Sequence, residues 1–466
     1  MSQTVYSDLT FPEEVSHNND FDDLLPEGRV HRLMYTDPAI FQEEMHKIFG
    51  GRWVYIAHES EIPNPNDYKT GYLGQRPIII TRGEDDSIRV LFNRCTHRGT
   101  TVCRENSGSS KTFQCPYHGW TYKNNGELVG VPWKNAYASD FDGGEFNLPQ
   151  VPYTANYRGF IWGTLNPNMP EIEEYLGPAK QYLDEWIDRF PNGEVNVQNQ
   201  AHRIKYDGNW KLAYDNGHDG YHPAFSHRSL MGIAERHEDG DQDKDMSYFQ
   251  NNPDEGPMPV YAFPNGHTFT DQRPNYDKIG SGSYWNQQRP QPGREAYENR
   301  IRDREGDKAD YYLDVTIGSQ MNLNIFPNLL IIGNQIQVLE PITVDQTQLT
   351  WYATSVGDLD ETNGETQRDV NTLRMRSQED FPNFGEVDDV TNFESVQRGL
   401  STKEVEWIHI HRGMGNPERY TEYDNGVVEA PVTDEMTIRH FYNEWQKTME
   451  QDMPLEVGRE VNSPQS

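Results

Sequence analysis

Residues 93–122 read NRCTHRGTTVCRENSGSSKTFQCPYHGWTY, and this stretch decides the reading of the chain. It holds Cys95-x-His97, then 17 intervening residues, then Cys115-x-x-His118. Two short ligand pairs on two loops can enclose a metal centre that needs soft thiolates and imidazoles together. Two sulfur and two nitrogen donors suit either one zinc ion or a two-iron, two-sulfide cluster. Zinc motifs more often pair like with like, as C-x2-C or H-x3-H. Here each pair mixes one Cys with one His, the set needed when two thiolates hold one iron and two imidazoles hold the other. Gly99 and Gly119 would let both loops turn tightly. The remaining thiol, Cys103, reads as a small buried residue.

Outward from this stretch the text is β-rich. RPIIITRG (76–83) and SIRVLFNR (87–94) read as strands around a GEDD turn, TFQCPYHGWTYKNNGELVG (112–130) contains an Asn-Asn-Gly turn, and RGFIWGTLN (158–166) is another strand. Residues 52–165 are therefore expected to form a small all-β domain. Before it, DPAIFQEEMHKIFG (37–50) has helical spacing and an Asp-Pro cap. After it, EIEEYLGPAKQYLDEWIDRF (171–190) and QRDVNTLRMRSQEDF (367–381) read as helices, and 321–343 and 347–356 as strands. The fold class is α+β: residues 1–51 and 166–450 form a larger domain with an antiparallel sheet flanked by helices. Residues 235–310, rich in Asp, Asn, Gln, Gly and Pro, read as a long surface excursion or lid, and 451–466 as a loose tail.

Composition narrows the function. The 466 residues carry 74 acidic against 41 basic side chains, a formal charge of −33. Such a chain repels a polyanion, and with no basic stripe a nucleic-acid partner is excluded. No apolar run reaches membrane-spanning length, and MSQTVYSDLTFPEEVSHNND has no secretory pattern. Three Cys in a chain this long point to a cytoplasmic protein. With only 13 Lys beside 28 Arg, the acid-rich surface suits solubility in strong salt, or simply an acidic cytoplasmic protein.

A second constellation lies in YDGNWKLAYDNGHDGYHPAFSHRSL (206–230). Non-haem iron(II) oxygenases bind iron with two His and one carboxylate on one face, leaving the other face open. His222 and His227 are the natural pair. On an ideal helix a spacing of five leaves them about 140° apart, so a shared metal requires a distortion, for which Pro223 is a cause. A straight helix over 219–228 would count against the pair.

The first stretch, with its C-x-H-R-G start and CPYHGWTY, resembles the Rieske domain of the aromatic-ring-hydroxylating dioxygenase large (α) subunits. IPNPNDYKTGYLGQRPIIITR (62–82), NGELVG (125–130) and FPNLLIIGNQIQVLEPI (326–342) resemble the benzoate, toluate and anthranilate branch, and D-x-x-H-x4-H (219–227) matches the same family. The resemblance implies a Rieske [2Fe-2S] cluster on Cys95, His97, Cys115 and His118, and a mononuclear Fe(II) on His222 and His227. It implies that Asp219 links these histidines to the cluster of a neighbouring subunit, in a homotrimer with or without a small β subunit (α3 or α3β3), and that Asn216 lies beside the iron. The third ligand, in the family's D-x4-E context, falls in PNFGEVDDVTNFES (382–395) on Asp389, with Asp388 as runner-up.

The implied activity is dihydroxylation of an aromatic ring, an aromatic carboxylate such as benzoate, with O2 and with electrons from a reductase, directly or through a ferredoxin. No glycine-rich nucleotide motif suggests that the chain binds its own NAD or flavin. Salicylate-type monooxygenation is the alternative within the family. A Rieske electron carrier and a zinc-stabilised interaction protein are the alternatives outside it. The sequence departs from the family at His218, where a small residue is usual. It is either an exposed or hydrogen-bonded histidine, or a group on the oxygen or proton path.

Overall fold

The computed structural model describes residues 21–188, 193–197, 201–228, 258–273, 294–315, 321–333, 335–356 and 384–457. The order begins with β1 (Arg29–His31), α1 (Leu33–Thr36) and α2 (Pro38–Lys47). Asp37 caps α2 as its text requires, its carboxylate accepting from Ala39 N at 2.7 Å with Pro38 at the first helical position. The expected all-β region follows. β2 (Val54–His58) returns through β10 (Tyr153–Tyr157) and β11 (Phe160–Thr164) as a three-stranded sheet. Between them lie β3 (Asp67–Leu73), β4 (Arg76–Arg82), β5 (Ile88–Phe92) and β6 (Ser107–Ser109) in the order β5-β4-β3-β6. The small meander β7 (Thr112–Gln114), β8 (Thr121–Lys123) and β9 (Leu128–Gly130) carries the second ligand loop.

The remainder is helices on an antiparallel sheet. The helical text of 171–190 splits at Gly177-Pro178 into α3 (Ile172–Leu176) and α4 (Ala179–Asp188), because proline cannot continue the first helix. β12 (Val195–Asn196) is followed by β13 (His202–Tyr206), α5 (Trp210–Asn216), α6 (Pro223–Ser226), β14 (Pro259–Ala262) and β15 (Thr268–Asp271). Then come α7 (Arg294–Glu305), α8 (Ala309–Val315), β16 (Met321–Ile325), β17 (Leu329–Ile332), β18 (Gln335–Thr343), β19 (Gln346–Ala353) and β20 (Ser355–Val356). The described chain ends with α9 (Phe384–Gly399), β21 (Trp407–His409), β22 (Thr421–Glu422), β23 (Val428–Pro431) and α10 (Met436–Glu450). Nine of these strands form one antiparallel sheet in the order β13-β19-β18-β17-β16-β15-β14-β23-β22.

Three expectations need correction or placement. Of the expected loose tail 451–466, residues 451–457 are docked instead: Met453 is buried, and Glu456 N donates to Leu165 O at 2.8 Å, because the segment's apolar residues pack against the Gly50-Gly51 turn. Residues 258–273 are not a surface excursion: β14 and β15 sit inside the large sheet, with Val260, Ala262 and Phe269 fully buried, and 294–315 is helical. Each strand is only four residues long, and Thr268, Thr270 and Asp271 are buried as well, so no apolar period marked them. The helix expected over 367–381 lies outside the described residues.

The helices that carry the second constellation are fixed by a buried polar clamp. Glu44 of α2 is fully buried and accepts from Lys211 Nζ, Trp210 Nε1 (2.9 Å) and Trp445 Nε1 (2.8 Å), so α2, α5 and α10 meet at one carboxylate. Asn209 caps α5 through Lys211 N at 3.1 Å, and its amide donates to Val344 O at 2.8 Å, tying the helix start to the β18–β19 turn.

Candidate metal centres

The two ligand loops of the β domain are built alike. In one, Cys95 N donates to Thr100 O (2.8 Å) and Gly99 N to Cys95 O (2.8 Å). In the other, Cys115 N donates to Trp120 O (2.7 Å) and Gly119 N to Cys115 O (3.0 Å). Both glycines have positive φ, +82° and +72°, the conformation that the tight turns require. The loops bring the His97 and His118 rings to a centroid separation of 4.6 Å, with His97 stacked on Trp120 at 4.8 Å. Cys95 and Cys115 are buried beside each other. Burial, with the neighbouring Cys95, pushes the Cys115 thiol up, so cationic charge beside it would favour its thiolate. His97 Nδ1 is buried without a hydrogen-bond partner. This donor set fits a two-iron cluster.

Sequence reasoning took Tyr122 only as part of a motif. Its hydroxyl lies 3.3 Å from Cys95 Sγ and 2.9 Å from Thr96 Oγ1, a hydrogen bond aimed at a donor sulfur. Asn93 Oδ1 accepts from Val102 N and Cys103 N, both at 2.9 Å, and holds the segment between the loops. Cys103 is a buried thiol, as expected.

The second constellation is not on a continuous helix. α5 stops at Asn216, residues 217–221 bend, and Pro223 opens the four-residue α6. Proline starts a new turn here rather than kinking an old one. The His222 and His227 rings come to 5.3 Å. α9 supplies the third group. It packs on α5 and α6, with Gln397 accepting from Asn209 N at 3.1 Å and Asn392 donating to Ser226 Oγ at 3.2 Å. On α9 Asp389 falls between Asn392 (i+3) and Gln397 (i+8), about 60° to one side and about 80° to the other, so it points at the same two neighbours. Its Oδ1 stands 3.7 Å from His222 Nε2 and 3.5 Å from His227 Nε2, and is buried without a hydrogen-bond partner.

Each imidazole thus presents Nε2 inward and Nδ1 toward an outer carboxylate. Asp219 Oδ2 stands 3.5 Å from His222 Nδ1 and Asp388 Oδ2 3.9 Å from His227 Nδ1; these are ion-pair approaches, and both Nδ1 atoms are buried without a hydrogen-bond partner. A carboxylate behind a ligand imidazole fixes its tautomer and leaves Nε2 free for a cation. Burial raises the Asp389 carboxyl against the pull of both histidines and of the nearby Asn216 amide. Burial alone would lower His222, but Asp219 and Asp389 raise it; burial does lower His227. Two Nε2 atoms and an unpartnered carboxylate oxygen on one side of a small space form the donor set of a two-histidine, one-carboxylate iron(II) centre. The structure brings together Asn216, Asp219, His222, His227 and Asp389, and separately Cys95, His97, Cys115 and His118. Asp388 stands one step further out.

His218 is buried and hydrogen-bonded, its Nδ1 3.2 Å from Thr268 Oγ1. Asp215 was not expected: Tyr35 OH (2.8 Å) and Tyr442 OH (3.2 Å) donate to its Oδ2, and burial pushes it up to about 7. Among the described residues no helix is long and apolar enough to cross a membrane.

Two family models match the chain. Residues 52–152 match the family model described as Rieske [2Fe-2S] domain, and 194–451 match that described as ring hydroxylating alpha subunit (catalytic domain). The chain is 35% identical to the 2-halobenzoate 1,2-dioxygenase large subunit of Burkholderia cepacia, over 83% of this chain and 80% of that one. It is 35% identical to the toluate 1,2-dioxygenase α subunit of Pseudomonas putida, over 80% and 79%, and 31% identical to the anthranilate 1,2-dioxygenase large subunit of Acinetobacter baylyi, over 83% and 80%. Its structure is similar to that of naphthalene 1,2-dioxygenase from Rhodococcus sp. bound to indole, with a TM-score of 0.72 and 26% identity over 94% of this chain and 98% of that one.

Proposed function

Because the chain belongs to the Rieske ring-hydroxylating oxygenase α subunits, enzymes with a [2Fe-2S] cluster and a mononuclear iron, we propose that it dihydroxylates an aromatic carboxylate of the benzoate class. The observation that carries this reading is the convergence of His222 Nε2, His227 Nε2 and Asp389 Oδ1. The substrate class rests on the relatives, whose names specify halobenzoate, toluate and anthranilate.

When bound, the cluster supplies electrons and the iron supplies oxygen activation. Cys95, His97, Cys115 and His118 hold the cluster, with Tyr122 OH directed at the Cys95 sulfur. His222, His227 and Asp389 would hold the iron, with the Asn216 amide beside the Asp389 carboxyl. Asp219, with its carboxylate 3.5 Å from His222 Nδ1, would draw the His222 proton to that nitrogen and leave Nε2 for the metal. Overall, ring, O2, an electron pair and two protons give a cis-dihydrodiol, so oxidant and reductant balance.

The electron source is a separate reductase, directly or through a ferredoxin, and the working unit is a homotrimer, alone or with a small β subunit. Two exposed aromatic faces support an assembly that joins unlike ends of neighbouring copies. Tyr117 (60% exposed) and Trp133 (85%) flank the cluster loops, while Tyr221 (42%) and Phe225 (69%) flank the iron histidines. Asp219 sits at the second face with a quarter of its side chain exposed. A carboxylate there can accept hydrogen bonds from His222 on its own chain and from His118 of a neighbour. We infer a cytoplasmic enzyme, in keeping with a chain of 466 residues that has only three Cys, two of them assigned to the cluster.

The test combines metal analysis with a product screen on benzoate, salicylate, anthranilate and alkylbenzoates. The proposal expects three irons and two acid-labile sulfides per chain and a cis-dihydrodiol from one of the carboxylates. Two irons with no ring oxidation would make it an electron carrier, and a phenol product a monooxygenase.

A further inference from the structure

The bend 217–221 carries Asp219, yet it belongs to no helix or strand. Something else must fix it. A Cβ on Gly217 would meet Leu330 Cδ2 at 2.6 Å and the Asn324 amide at 3.0 Å; one on Gly220 would meet Val432 Cγ2 at 2.2 Å. The bend is therefore pressed onto β16 and β17 on one side and onto the end of β23 on the other. Between these glycines, His218 is only 1% exposed. Its Nδ1 faces Thr268 Oγ1 of β15 at 3.2 Å and Asn324 Nδ2 of β16 at 3.4 Å, and Asn324 Nδ2 also donates to Thr268 Oγ1 at 3.1 Å. The His218 carbonyl accepts from Thr437 Oγ1 of α10 at 3.2 Å. One residue is thus tied to the sheet by its side chain and to the last helix by its backbone.

The tautomer follows from these partners. An amide NH2 only donates, so Nδ1 accepts, and the ring is neutral with its proton on Nε2. Burial pushes His218 down to about 3, which keeps it neutral at every working pH. Nε2 and Asn324 Oδ1 are both buried without a partner. Two orphaned polar atoms cost stability that an apolar side chain would not. The polar trio is poor core packing but a directional anchor.

We propose that His218 is a positioning residue: with Thr268, Asn324 and Thr437 it anchors the bend so that the Asp219 carboxylate stays beside His222. This rests on the role proposed for Asp219. Asp219 Oδ1 accepts from Tyr221 N at 2.6 Å inside the same bend, so the carboxylate moves with the backbone that His218 holds. A small residue at 218 would leave only the glycine contacts and the Thr437 link.

The test is made on the holoenzyme with His218→Ala, His218→Gln and Thr268→Val. Backbone amide exchange in 217–222 is expected to quicken about tenfold in His218→Ala, the loss expected for one buried hydrogen bond, with both metals retained and α9 unchanged. Thr268→Val should act in the same direction, and the double variant should fall short of the sum, because both cut one link. His218→Gln, whose amide can still meet Thr268, should recover part of the protection. Coupling is read alongside, as peroxide released per O2 consumed: it should worsen in His218→Ala with kcat falling and KM for the aromatic substrate unchanged. Unchanged exchange at 217–222 in both His218→Ala and Thr268→Val overturns the proposal. Quickened exchange with intact coupling leaves the anchor standing and removes the role assigned to Asp219, so the two failures are distinguishable.

Discussion

Replacing Asp389 by Ala removes the oxygen that lies 3.7 Å and 3.5 Å from the two inward-facing imidazole nitrogens. Replacing Asp388 removes an oxygen 3.9 Å from the outward-facing His227 Nδ1. The first change takes away a ligand and leaves two histidines. The second takes away a group behind a ligand. Loss of an outer partner costs about 10–100-fold in metal affinity. Loss of the ligand itself must exceed that, so Asp389→Ala is expected to weaken iron(II) binding by more than about 100-fold, or about 2.7 kcal/mol. Asp388→Ala should stay within about tenfold to 100-fold. The assay is an anaerobic iron(II) titration of protein stripped of its mononuclear iron, with the visible spectrum of the cluster as internal control. The cluster band should be intact in both variants, because its loops lie in the β domain. If Asp388→Ala lost the iron and Asp389→Ala kept it, the α9 register argued from Asn392 and Gln397 would be wrong.

Further outcomes follow from the same geometry. Asp219→Asn should retain both metals and stop turnover, because an amide is a weaker acceptor for His222 Nδ1–H; near-normal product formation would count against the link. Asp215, raised from 3.8 to about 7 by burial, binds its proton more tightly folded than unfolded. It therefore costs nothing below about pH 4, its cost grows as pH rises through the window from about 4 to 7, and is then constant. Asp215→Asn should gain stability on the wild type across that window, with a ceiling of about 4 kcal/mol reached near pH 7, as read by urea unfolding; a pH-independent difference would contradict it. The charge of −33 should give a higher melting temperature in molar KCl than in low salt as repulsion is screened; equal or greater stability in low salt would refute the salt-adapted reading.

Much of the site could be read because its chemistry is local in sequence. Cys95-x-His97 and Cys115-x-x-His118 each occupy one turn, and the mixed pairs carry their own meaning. The same holds for His222 and His227, whose awkward spacing correctly required a broken helix. Asp389 is different. It reaches the site through helix packing from far along the chain, and its register came from the resemblance, with no spacing rule behind it. Asp215 with Tyr35 and Tyr442, and Glu44 with Lys211, were illegible for that reason: each unites segments that only the tertiary fold brings together. His218 was visible as a departure, but its partners Thr268 and Asn324 lie on strands, one of which hid in polar text. β14 and β15 escaped notice because four residues carry too few apolar positions to show a period.

The most direct test of the account is a structure of the assembled, metal-loaded enzyme by crystallography or electron microscopy. One pairing of neighbouring subunits is expected in which the His118 side chain of one copy and the His222 side chain of the next both reach the same Asp219 carboxylate. If, in every pairing of copies, those two imidazoles stand too far apart for one carboxylate to touch both, the account is contradicted.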